Sequence, residues 1–174
     1  SVFPVDEGRY VFGPMLEIGW GTPTLIEAEL GVFIELPDPI RIVVIGQIAA
    51  LLPSKDAALV EIHLDTVGVI DFEARTLSLD ASLYDSKILV YSISGDMALR
   101  SAWGSDPSFA LSIGGLNPRF DPPSGFPELR RLTLSLGSGD NPRLSCSTYL
   151  ALTANTVQFG SAIEAYAEAA GFAV

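Results

Sequence analysis

A chain of 174 residues is long enough for one domain with a core and too short for two comfortable ones. Its composition, 48% hydrophobic and 18% charged, excludes a disordered tail. Ten Lys and Arg against 21 Asp and Glu leave a net charge of −11; such a chain repels phosphate backbones and anionic headgroups, so nucleic acid and electrostatic membrane docking fall to the bottom of the candidate partners.

The first regular element is expected over Thr24–Leu36. Ile26, Ala28, Leu30, Val32, Ile34 and Leu36 alternate there with Glu27, Glu29 and Glu35, the period-two pattern of a strand with one dry and one wet face. Pro37-Asp38-Pro39 ends it. Arg41–Leu52 is apolar on both faces; a helix fits Gln47–Leu52, but the β-branched Ile42-Val43-Val44-Ile45 opening favours a buried strand. Val60, Ile62 and Leu64 alternate with Glu61, His63 and Asp65, and a phase change at Gly68 before Ile70 and Phe72 suggests a β-bulge. Leu77, Leu79, Ala81 and Leu83 alternate with Ser78, Asp80 and Ser82. Ile88–Ile93 and Met97–Leu99 are expected as strands split by Gly95-Asp96.

Phe109, Leu111 and Ile113 form a short strand before Gly114-Gly115. The stretch Asn117–Leu129 carries Pro118, Pro122, Pro123, Gly125 and Pro127, so it is a long ordered loop or a cover over one end. Leu132, Leu134 and Leu136, then Leu144, Cys146, Thr148, Leu150 and Leu152, alternate again. Val157 and Phe159 precede Ser161–Ala170, which is alanine-rich but fits period two and reads as strand. The sum is nine to eleven strands joined mostly by short turns: an all-β, single domain over residues 1–174, a large antiparallel meander sheet of long amphipathic strands. It closes as a barrel, folds as a sandwich, or stays an open trough. Closure is favoured for an isolated chain, because an open sheet leaves an apolar face and two edges in water.

Chemistry-bearing residues are sparse. The single histidine, His63, lies on the polar face of a strand among carboxylates and reads as a surface residue rather than a general base. The single cysteine, Cys146, is in phase with Leu144 and Leu150 and reads as a structural thiol. One His and one Cys exclude the usual zinc sets; Asp121 and Asp140 are the nearest approach to calcium ligands, and both read as turn residues. Carboxylates are abundant but spread along solvent-facing positions, and Trp20 and Trp103 are the best sugar-stacking candidates, each read first as an aromatic plug at a sheet corner. No catalytic residue, metal or cofactor is assigned. No run of about 18 uncharged apolar residues occurs, so no transmembrane segment is expected.

Several words of the sequence are distinctive: Gly95-Asp96-Met97-Ala98-Leu99-Arg100, Trp103-Gly104, Phe109 to Gly115, Asn117-Pro118-Arg119-Phe120 with Pro122-Pro123, and Ala154-Asn155-Thr156-Val157-Gln158-Phe159-Gly160. Phe12-Gly13-Pro14, Trp20-Gly21-Thr22-Pro23 and Leu83-Tyr84-Asp85-Ser86 belong with them. Together they resemble an uncharacterised β-rich segment of large multidomain bacterial proteins, over nearly the whole chain. The resemblance implies a piece of a longer protein and carries no activity. The start at Ser1 and the apolar final run Ala169–Val174 fit that expectation.

The leading functional expectation is a non-enzymatic structural or interaction β-scaffold, partnered by neighbouring β-domains or another protein. The alternative is an apolar-ligand trough or barrel holding acyl lipid, lined by Leu30, Val32, Ile34, Leu79 and Leu83. A carbohydrate-active or ester-hydrolysing enzyme ranks third. The Asn117–Leu129 loop, with Arg119, Phe120, Asp121 and Phe126, is the expected recognition element, because loops on a rigid scaffold carry specificity.

Overall fold

The computed structural model describes residues 8–38, 40–136, 143–169 and 172–173. Thirteen strands account for nearly all regular structure: β1 (Tyr10–Phe12), β2 (Met15–Trp20), β3 (Ile26–Leu36), β4 (Arg41–Leu52), β5 (Val60–Asp71), β6 (Thr76–Ile88), β7 (Tyr91–Ala102), β8 (Ser108–Ile113), β9 (Leu132–Leu136), β10 (Arg143–Thr153), β11 (Val157–Tyr166), β12 (Glu168–Ala169) and β13 (Phe172–Ala173). One 3-10 turn spans Lys55–Ala57. Eleven strands form one antiparallel sheet, and β12 and β13 pair only with each other. Among the described residues no helix is long and apolar enough to cross a membrane.

The eleven strands occupy nine lanes. β1 and β2 both pair with β3 in one continuous register, Phe12 opposite Ile34 and Met15 opposite Gly31, and so form a single edge lane interrupted at Gly13-Pro14. β3 to β7 follow as a meander. The seventh lane is split: β8 pairs with the Met97–Ala102 half of β7, and β9 pairs with the Tyr91–Ser94 half. β10 then pairs with both β8 and β9, and β11 forms the far edge. Among the described residues no ladder joins β11 to β1 or β2, so the ladder path is open at both ends. The barrel closure favoured for an isolated chain is not what this path describes.

Directly paired residues of adjacent strands point to the same side, so the registers divide the sheet into two faces. One carries Ile26, Leu30, Ile34, Ile42, Ile48, Leu64, Leu79, Leu83, Leu99, Leu111, Leu134, Leu150 and Phe159. The other carries Glu29, Glu35, Arg41, Asp65, Asp80, Asp96, Arg100, Ser112, Tyr149 and Gln158.

Burial runs opposite to this polarity. The fully or nearly fully buried side chains Glu35, Val43, Ala98, Ala110, Ser112, Ala151 and Gln158 all belong to the polar face. On the apolar face Ala81 and Ser86 are buried, whereas Leu16, Ile18, Ile26, Phe109, Leu150 and Phe159 are exposed. A sandwich core would reverse that pattern, because its buried side chains come from the facing apolar surfaces. The accessible surface, 11455 Å², also exceeds the roughly 8,200 Å² expected of a compact protein of this mass.

Three local expectations change. The bulge lies not at Gly68, which stays in phase with Leu64 and Ile70, but in β6, where the register with β7 shifts between Leu83 and Ser86 and the register with β5 shifts opposite Glu61 and His63. Asp85 there takes φ 39°, and the Ser86 hydroxyl accepts the His63 N–H at 2.9 Å, filling the gap the extra residue opens. The chain turns at Leu89-Val90, not at Gly95-Asp96, so Ile88 ends β6 and Tyr91 begins β7; Leu89 takes φ 57° without help from glycine. The proline-rich stretch does not cap an end of the sheet but leaves it mid-lane, between β8 and β9, and lies on the polar face.

Candidate functional site

The excursion from Gly114 to Arg131 is clasped by Asp96 on β7. The Gly114 N–H donates to the Asp96 carbonyl at 2.8 Å. At the other end the Arg130 backbone N–H reaches Asp96 Oδ2 at 2.9 Å, Arg130 Nη2 reaches Oδ1 at 2.6 Å, and the Ser82 hydroxyl donates to Oδ1 at 2.9 Å. The Arg130 hydrogen bonds hold the Asp96 carboxyl well below its ordinary range, at about 2. Gly114 is required at this corner: it takes φ 74°, and a Cβ would lie against Thr148 O and 2.7 Å from Leu132 N.

A second set of contacts holds the excursion down. Arg131 donates to Gly114 O at 2.8 Å and Leu116 O at 3.0 Å, and its guanidinium stacks 4.1 Å over the Tyr149 ring. Tyr149 in turn covers its cross-strand partner Gly160, occupying the space a Cβ would need. The Asn117 N–H donates to Gln158 Oε1 at 3.0 Å. The buried small residues Ala98, Ala110, Ser112 and Ala151 lie between these anchors, which accounts for their burial on a face that is otherwise polar.

Within the excursion is an open cavity of about 600 Å³, with Phe120, Pro122, Phe126, Pro127, Leu129 and Arg131 in its wall. Of the expected recognition residues, the structure brings Phe120 and Phe126 together there, while Arg119 and Asp121 are exposed. Turns order the segment: the Phe120 N–H donates to Asn117 O at 2.9 Å and the Phe126 N–H to Pro123 O at 3.0 Å.

The expected ligand-lining residues share the apolar face. Leu30, Val32 and Ile34 lie on β3 and Leu79 and Leu83 on β6, all half-buried, three lane spacings or roughly 14 Å apart. They belong to a continuous surface. Among the ladder-paired residues of the nine lanes, no Asp, Glu, Lys, Arg or His points to this face; Asp85, in the β6 bulge, is paired in neither ladder. Two of its hydroxyls are turned inward: Thr66 Oγ1 donates to Asp80 O at 3.2 Å and Thr148 Oγ1 to Gly160 O at 2.9 Å. The polar groups left on this face are uncharged and few: the hydroxyls of Ser101 and Ser161, Tyr10 and Tyr91, and the Trp20 indole.

The other sequence candidates are placed on the periphery. His63 Nδ1 lies 3.1 Å from the Asp85 carbonyl and its ring tilts against Tyr84 at 5.5 Å, a bulge support on the polar face. Cys146 is free and half-buried on the apolar face. Trp20 is exposed at the end of the edge lane, and Trp103 follows β7. Asp140 lies outside the described residues. Among the described residues no group of three or more His, Cys, Asp or Glu is placed to hold a metal.

Sequence reasoning missed one charged cluster. Glu35, 1% exposed, lies between Arg9, 3.5 Å away, and Arg41, whose Nε is 3.4 Å from both Glu35 and Asp71. Glu35 reads in sequence as one more outward carboxylate in an alternating strand; only the register of β3 with β4 brings Arg41 opposite it.

A family model described as a family of unknown function (DUF6603) matches residues 1–174, the whole chain. No curated protein matches, and no solved structure does.

Proposed function

We propose a function from geometry alone, because this chain belongs to DUF6603, a family of unknown function: it is a non-enzymatic interaction module that presents one apolar sheet face to another protein layer. The supporting observation is the uncharged face of nine lanes, which bears exposed Leu16, Ile18, Phe109 and Leu150. The eight spacings between nine lanes, at about 4.8 Å each, by strands of about 35 Å give roughly 1,300 Å² of face, at least twice the largest apolar patch of an ordinary monomer. Surface of that size and composition is a contact surface.

The runner-up reading is an acyl-lipid trough. It is favoured by the inward-turned hydroxyls of Thr66 and Thr148, which ask no hydrogen bonds of an occupant of the face. Native mass spectrometry of the purified chain, with organic extraction of the same sample, separates the two. A lipid-free chain supports the protein-contact reading. Acyl lipid held at near one equivalent refutes it in favour of the trough.

A further inference from the structure

Resting on that reading, we infer that the layer covering the apolar face is a second copy of this chain, packed face to face about a two-fold axis into a β-sandwich. Area is the first argument. Two faces of roughly 1,300 Å² remove about 2,600 Å² from water, within the range of obligate homodimers and above the roughly 2,000 Å² where that range begins.

Charge is the second. The chain carries −11, and any pairing through the polar faces would bring Glu29, Asp65 and Asp80 of one copy against those of the other. Face-to-face packing of the apolar sides brings together no charged residue that the ladders place there. It leaves the two acidic surfaces on opposite outsides of a double layer about 10 Å between sheets, beyond close Coulombic range at physiological salt.

Shape is the third. The fifth of the nine lanes, β6, crosses the middle of the sheet, and beside it Gly46, Thr66 and Ala81 occupy one row with Gly68 in the next. Leu79 and Leu83 project on either side of this shallow centre. A two-fold axis lying in the contact plane along β6 exchanges the two sides of that strand, so Met97, Ile113 and Leu99, which continue these rows on the far side, fall over Thr66, Gly46 and Gly68 of the other copy, the self-complementary arrangement that a two-fold contact requires.

The test combines mass, cross-linking and thiol protection. Light scattering across a dilution series is expected to give a particle of twice 18.5 kDa. In a Cys146→Ser background, Leu79→Cys is expected to cross-link between copies through a bismaleimide of about 10 Å, matching the spacing of stacked sheets, while Ser92→Cys on the polar face is not. Circular dichroism checks each variant, and the unmodified chain is followed independently by the rate at which a bulky maleimide reaches Cys146, expected to fall as dimer forms. A monomer whose Cys146 reacts freely refutes the second copy and leaves the contact-surface reading standing with another partner. A monomer whose Cys146 and Leu79→Cys both resist labelling shows the face closed by the chain itself and refutes both readings. Cross-linking through Ser92→Cys, or a lipid-loaded monomer, refutes the second copy.

Discussion

Replacing Asp96 with Asn tests the clasp that holds the Gly114–Arg131 excursion. The carboxylate accepts from the Arg130 N–H, Arg130 Nε and Nη2, and Ser82 Oγ. Depression of its pKa from 3.8 to about 2 corresponds to about 2.4 kcal/mol at 1.36 kcal/mol per pH unit. Arg130 is 61% exposed, so solvent screening trims the charge contribution to about 1–1.5 kcal/mol. Because the folded value is depressed, this stabilisation is fully present above the unfolded value and is lost as pH falls from about 5 through 2. Urea unfolding at pH 7 is therefore expected to place Asp96→Asn about 1–1.5 kcal/mol below the parent chain. The gap should shrink steadily between pH 5 and pH 2, and shrink also in 1 M salt. Identical stabilities at pH 7, or a gap unchanged at pH 2, would refute the argument.

Gly114→Ala should cost at least 2 kcal/mol in the same assay, since the new Cβ meets backbone on two strands at a positive φ. Tyr149→Ala should cost about 2–3 kcal/mol, by uncovering Gly160 and removing the surface under Arg131, and hydrogen exchange should show residues 114–131 loosening with it. Glu35→Gln should destabilise by about 2–4 kcal/mol, because it removes a buried carboxylate between Arg9 and Arg41; a neutral result would mean those arginines are solvated.

The strands legible in sequence are those where burial and alternation coincide over many residues. Leu77 to Leu83 and Leu144 to Leu152 leave no other period to fit. β1 and β2 were not legible, because Gly13-Pro14, Gly19 and Gly21 break a lane whose continuity exists only in its register with β3. The Leu89-Val90 turn was hidden for the opposite reason: two apolar residues with no turn chemistry of their own are forced around by the β6–β7 ladder on either side. The course of the excursion was illegible too, since contacts such as Asp96 to Arg130 and Asn117 to Gln158 join residues 34 and 41 positions apart. Periodicity sorts residues into two faces but does not say which face a loop will settle on.

The split seventh lane divides the folding problem. Every ladder from β3 to β8 links strands adjacent in sequence, and so does every ladder from β9 to β11, so each block assembles by short-range hairpin closure. The two blocks meet along a stepped seam, β9 against one half of β7 and β8 against one half of β10. That seam forms only after the chain has closed the loop from Ile113 to Leu132. The sheet is thus two cooperative units zipped along a staircase, with the Asp96 clasp at the inside corner of the step. Sub-global opening is expected along this line, with β9, β10 and β11 leaving together, and hydrogen exchange would register it as one shared loss of protection in those strands.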